Sequence, residues 1–277
     1  MYPLPALCAV SLAVGWIALV PVRRELGALW YHLAAVPVGL LGWCAPAGLA
    51  ILLHTGYSPL LVWGGLALYA GTGAGLGVWA TRGHRDVPDA AAVGRTALDA
   101  IPPWSYAAAG ALVLAVAFVF ARWGLSIFTH DSWAQYSVTS WALHDSGTAV
   151  IRLVRDRQLM LPAMQAAYHF FGGEWSGTLY PVLSACIVAW VAVATSVALH
   201  ARRVARFLVP ALLVLVMAAD PTYLFMSGYM HSHSTTALMI LVAVVALWRC
   251  VAEESSPRPW LLLAGLALAG IWLARPD

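Results

Sequence analysis

The chain has 277 residues, of which 62% are hydrophobic and only 10% charged, against about a quarter charged in soluble globular domains. That balance excludes a water-solvated fold and makes the bilayer the solvent. The net charge of +3 is carried by scattered Arg residues with no Lys, and without a basic stripe it gives no surface for nucleic acid.

A helix needs roughly 20 apolar residues to cross the hydrocarbon core. The sequence predicts about eight such spans, near 4–22, 33–54, 59–81, 105–123, 177–200, 207–225, 234–251 and 259–274. The expected fold class is therefore all-α, a polytopic membrane protein with no room for a sizeable soluble domain. In the first span Arg23 and Arg24 follow the apolar run instead of preceding it, so it reads as a retained helix with its N-terminus outside, not as a cleaved leader. In the third span Gly71, Gly73, Gly75 and Gly77 form two overlapping GxxxG pairs. A nucleotide-binding glycine loop would need a preceding strand, so these glycines are read as helix-packing residues. Cys8, Cys44, Cys186 and Cys250 lie in or at the end of apolar runs without CxxC spacing and are read as small hydrophobes.

The connections sort by charge. Arg23 and Arg24, then Arg82, Arg85 and Arg95, then Arg202, Arg203 and Arg206, then Arg249 and Arg258 fall in alternate connections, which is the positive-inside pattern; the exception is the long connection with Arg152, Arg155 and Arg157, and long segments cross the membrane largely regardless of charge. The pattern predicts a multi-pass plasma-membrane protein. The N-terminus, the 55–58 turn, the 124–176 connection, the 226–233 turn and the C-terminus would lie outside. Residues 1–104 read as a three-span region ending in a cytoplasmic linker, and 105–277 as a transmembrane core.

Only 124–176 is long enough to hold chemistry, and a connection of that length is functional or disordered. Trp133, Tyr136, Trp141 and Trp175, with the pairs His130–Asp131 and His144–Asp145, argue against disorder. Short interfacial helices are expected there, broken by Pro162 and then by Gly172–Gly173. The His130–Asp131 pair follows the fourth span within a few residues of its outer end. Partial desolvation at that position would make the Asp131 carboxylate a better base, while the plain alternative is a helix cap for the segment starting at Ser132 or Trp133. Asp220 lies near the outer end of the sixth span, just before Pro221; an ionisable group in apolar sequence marks a candidate site, and its alternative is an interface-seeking helix end. His231 and His233 follow in the next outer turn. With the carboxylates they could hold a divalent cation, or they could contact substrate by hydrogen bonds. Arg152, Arg155 and Arg157 could clamp a phosphate, or form the basic face of an interfacial helix. Glu174 reads as an interface anchor. Topology would bring Asp131, Asp220, His231 and His233 to one outer cavity.

The stretches FTHDSWAQY at 128–136, LPAMQAAYHFFGGEW at 161–175, DPTYLFMSGYMHSHSTTALMILVAVVALW at 220–248 and GLALAGIWLARPD at 265–277, in this order, resemble the GT-C superfamily of polytopic glycosyltransferases. The resemblance implies sugar transfer from a polyprenyl-phosphate donor to an acceptor at the outer membrane face, as in mannosyl- and arabinosyltransferases. It makes Asp131 the loop carboxylate that acts as base toward the acceptor hydroxyl, and Asp220 a second acidic group. His130, Trp133, Arg152, Arg155, His231 and His233 then become substrate contacts, with the Arg group facing the donor phosphate. It also implies further spans after Asp277, so that the chain would be an N-terminal fragment. The competing readings are a transporter, which would show ionisable groups at mid-depth and paired broken helices, and a non-catalytic membrane scaffold.

Overall fold

The computed structural model describes residues 3–82, 138–147, 159–173, 179–199, 202, 204–220, 233–252 and 257–274. All regular structure among them is helical. In chain order the helices are α1 (Pro3–Leu19), α2 (Arg23–Gly42), α3 (Cys44–Leu53), α4 (Pro59–Thr81), α5 (Val138–Ser146), α6 (Met160–Phe170), α7 (Leu179–Ala198), α8 (Ala205–Ala219), α9 (His233–Ala252) and α10 (Arg258–Ala274). Three helical runs, Pro3–Leu53, Pro59–Thr81 and His233–Ala252, are long and apolar enough to cross a membrane, and α10 and parts of α7 and α8 are shorter apolar helices. The predicted fourth span, 105–123, lies outside the described residues.

The first run does not continue straight. A 3₁₀ turn at Val20–Val22 reverses the chain, and α2 packs back along α1. Contact is backbone to backbone: a Cβ on Gly15 would land on the Ala35 carbonyl, and one on Gly39 on the Ser11 carbonyl. Close approach of this kind is what small residues permit between helices that gain no hydrophobic free energy from meeting in lipid. Three polar side chains here find internal partners, as an anhydrous surrounding favours, whereas Trp16 Nε1 and Glu25 Oε2 are buried with no hydrogen-bond partner among the described residues. Trp43 Nε1 donates to Ser11 Oγ at 2.9 Å, Ser11 Oγ to the Leu7 carbonyl at 2.7 Å, and Tyr31 Oη to the Trp16 carbonyl at 2.9 Å. The second predicted span, 33–54, starts too late. Helix is already present from Arg23, with a break at Gly27 (φ 76°), because the two Arg and Glu25 that read as a connector form a first turn instead.

Helix α4 begins where the sequence says it should. Ser58 accepts a hydrogen bond from the Leu61 N–H at 3.3 Å, and Pro59 occupies the first helical position, where its missing N–H costs nothing. Of its two glycine pairs only one packs against the described residues. A Cβ on Gly73 or Gly77 would meet Ala18 or Pro21, whereas Gly71 and Gly75 have nothing within 4 Å. Exposed tryptophans mark both ends of the helix, Trp63 and Trp79, as expected of interfacial anchors.

By contacts the chain divides into two units, Met1–Arg85 with Phe128–Ser176 and Met230–Asp277, and Asp86–Ile127 with Gly177–Tyr229. In the second, α7 and α8 pack on each other. In the first, α9 and α10 form a hairpin that also touches α2. Arg249 lies 5.1 Å from the Trp260 ring and 5.9 Å from the Trp30 ring, and Arg258 Nη1 donates to the Arg82 carbonyl at 3.1 Å. Arg82, at the C-terminal end of α4, is thus joined to the start of α10. The 55–58 turn and α5 gather at the opposite, N-terminal end of α4.

Candidate functional site

Two parts of the long connection are described, α5 and α6, and they pack against each other. Helix α6 exposes no face for lipid. Met160 through His169 are all buried, and the helix packs on α3, α1 and α10. Nor does Pro162 break it: the proline sits in the first turn, where backbone N–H groups have no helical partner to lose. The glycines do end it. Gly172 takes φ 84°, its N–H bonds the His169 carbonyl at 2.8 Å, and the Gly173 N–H bonds the Tyr168 carbonyl at 3.0 Å. This paired closure needs a residue free of the Cβ penalty at positive φ.

His169, in the last turn of α6, is the centre of a polar cluster. Its Nδ1 is 2.7 Å from the Gly173 carbonyl oxygen and its Nε2 3.3 Å from Ser140 Oγ on α5. A carbonyl only accepts, so Nδ1 carries the proton, and in the neutral ring Nε2 accepts from the Ser140 hydroxyl. Burial holds the imidazole below its ordinary range, partly offset by the bond to Gly173, with the nearby His144 pushing the same way as burial. Ser140 is fully buried. With the hydroxyl buried, the serine–histidine contact fastens α5 to α6.

The outward side of α5 differs. Trp141 stacks on His169 with ring centroids 3.9 Å apart and planes at 20°. One turn on, His144 Nδ1 bonds Asp145 Oδ1 at 2.7 Å, with the carboxylate side chain 64% exposed. The end of α5 is clamped to the α3–α4 turn. The Tyr57 N–H donates to the His144 carbonyl at 2.7 Å, and Gly147, at φ 61°, lies against the carbonyls of Ala50 and Thr55. Tyr57 itself is buried, which pushes its phenol well above the usual range, and its hydroxyl finds no hydrogen-bond partner among the described residues. Two aromatic pairs lie edge-on nearby, Trp43 with Phe171 and Trp63 with Phe170.

The residues singled out from the sequence fare unevenly. His130, Asp131, Trp133, Arg152, Arg155 and His231 lie outside the described residues, as do Arg157 and Glu174. Asp220 caps the C-terminal end of α8, its N–H on the Val216 carbonyl at 2.9 Å, and its side chain is exposed. His233 is the exposed first residue of α9. Asp220 and His233 belong to different units. Among the described residues no group of three or more His, Cys, Asp or Glu is placed to hold a metal ion, and none of the four cysteines is in a disulfide. The cluster of Ser140, Trp141, His144, Asp145 and His169 escaped sequence reasoning, although the His144–Asp145 neighbours were visible in it. Comparisons with protein-family models, curated proteins and solved structures give no match to this chain.

Proposed function

We propose that the chain is the core of a membrane glycosyltransferase, moving a sugar from a polyprenyl-phosphate donor to an acceptor at the outer face of the plasma membrane. The observation that carries this reading is the resemblance in residue order across 128–277, ending the long connection at a span and beginning it with His130–Asp131. In this reading Asp131 is the base and Asp220 the second acidic group. His130, Trp133, Arg152, Arg155, His231 and His233 hold donor and acceptor, with a divalent cation as an optional companion of the histidines. The eight-span, N-out arrangement belongs to the same proposal. It is supported by the alternating Arg count and by the separation, along α4, of the Arg82–Arg258 end from the Tyr57–His144 end. Ordered helices in the long connection, with an exposed carboxylate beside an exposed indole, favour an enzyme over a bare transport pore. The transporter reading would also ask for charge at mid-depth, and α1, α3, α4 and α7 contain none.

Transfer is measured directly. Membranes bearing the full-length protein and supplied with radiolabelled polyprenyl-phosphate sugars should move label to an acceptor; label retained on every such donor would sink the reading. Orientation is tested separately at Ser146, an exposed residue at the end of α5. With the four native cysteines replaced by Ala, Ser146→Cys in intact cells should react with an impermeant maleimide. Reaction only after the membrane is breached would place the connection inside and remove the outer-face site.

A further inference from the structure

We infer that Trp141, His144 and Asp145 form a docking platform for the neutral saccharide of the acceptor. The inference rests on the sugar-transfer reading for its choice of ligand, but not for its geometry. The three residues are spaced i, i+3 and i+4 on α5, so they share one strip of the helix surface, while Thr139, Ser140 and Leu143 turn inward. Trp141 is 39% exposed although His169 covers one of its faces at 3.9 Å, so the area left open belongs to the other face and the edge. That indole is fixed in advance: His169 backs it, and the His144 ring stands edge-on to it at 6.0 Å and 86°. A ligand meeting it loses little freedom in ordering the protein.

Beside the ring stand complementary polar atoms. His144 gives Nδ1 to Asp145, which leaves Nε2 to face a hydroxyl, and Asp145 keeps a second carboxylate oxygen as acceptor. An apolar plane flanked by two hydrogen-bonding groups matches a pyranose or furanose, which has a C–H face and a hydroxyl edge. The carboxylate decides between the two halves of the transfer reaction. It repels a phosphate, so the donor head group is a poor occupant, and its exposure makes immersion of the strip in hydrocarbon costly. An uncharged sugar satisfies both conditions.

The test is retention on an array of neutral oligosaccharides by the full chain in phosphatidylcholine nanodiscs, since alkyl-maltoside detergents would themselves offer a sugar. The parent should bind at least one neutral glycan. Trp141→Ala should weaken that binding roughly ten-fold, Trp141→Phe should keep most of it, and Asp145→Asn should weaken it by a smaller factor. The Phe and Asn variants keep ring and shape, so a folding defect in the Ala variant does not leave the question open. No neutral glycan retained by the parent, binding unchanged by both Trp141→Ala and Asp145→Asn, or preference for acidic glycans would overturn the platform. Glycan binding by a full-length protein that transfers no sugar would support the platform while defeating the transferase reading. Transfer with an acceptor KM indifferent to Trp141→Ala would overturn the platform alone.

Discussion

On the proposed sugar-transfer reading, Asp131→Asn should abolish most transfer by the full-length protein, lowering the rate by about 10²–10⁴, the usual cost of removing a general base. The amide keeps the size and one acceptor oxygen of the carboxylate but cannot take a proton. The competing role, capping a helix that starts at Ser132 or Trp133, predicts something different. A lost cap costs about 1 kcal/mol of stability, and the protein that still folds should turn over normally. Rate and melting temperature therefore separate the two, provided insertion is first shown to be normal. A variant that melts a few degrees lower and transfers at the parental rate would assign Asp131 to the cap.

The largest effect on folding is expected at Gly39. An added methyl there would fall on the Ser11 carbonyl group, with the Gly15 nitrogen 3.1 Å away. Neither obstacle is a side chain that can swing aside, so Gly39→Ala must push α1 and α2 apart along the whole hairpin and strain the Trp43–Ser11 bond that ties them. The cost should be about 3 kcal/mol or more, at the upper end of overpacking penalties, read as loss of monodisperse, protease-resistant protein. Gly71→Ala is the matched control. Its Cβ would meet nothing within 4 Å among the described residues, and helix propensity even favours the change by up to about 1 kcal/mol. Equal damage from both substitutions would mean that the hairpin is not held by backbone contact.

The same pair of glycines illustrates how far the sequence could be read. Apolar runs pointed to the long helices, because length and hydropathy are local properties, and the limit drawn at 59 from apolarity alone coincides with the start of α4. Which of two interleaved GxxxG pairs packs is decided by a partner helix, here by Ala18 and Pro21, and nothing inside residues 71–77 reveals it. The early start of α2 was missed because charged residues read as a connector, yet a first helical turn accepts them. Pro162 misled in the opposite direction: as a breaker it depends on its position in the helix, and near the start it breaks nothing. The site shows the same limit more strongly. His144–Asp145 could be seen as neighbours, but Ser140 and His169 are 29 residues apart, and only the packing of α5 on α6 makes them a pair. For His130, Asp131 and the Arg group the sequence argument stands by itself.

The two exposed tryptophans of α4 carry a consequence for the surrounding lipid. Trp63 and Trp79 are 16 positions apart, which at 1.5 Å per residue separates their levels by roughly 24 Å. Indole rings settle at the head-group boundary, so this helix asks for a hydrocarbon layer somewhat under the common value of about 30 Å. A thicker bilayer must dimple around it, at a fraction of a kcal/mol for each ångström of mismatch. The protein should accordingly partition toward thinner patches of membrane, and lipids with shorter acyl chains should be the better host when it is reconstituted.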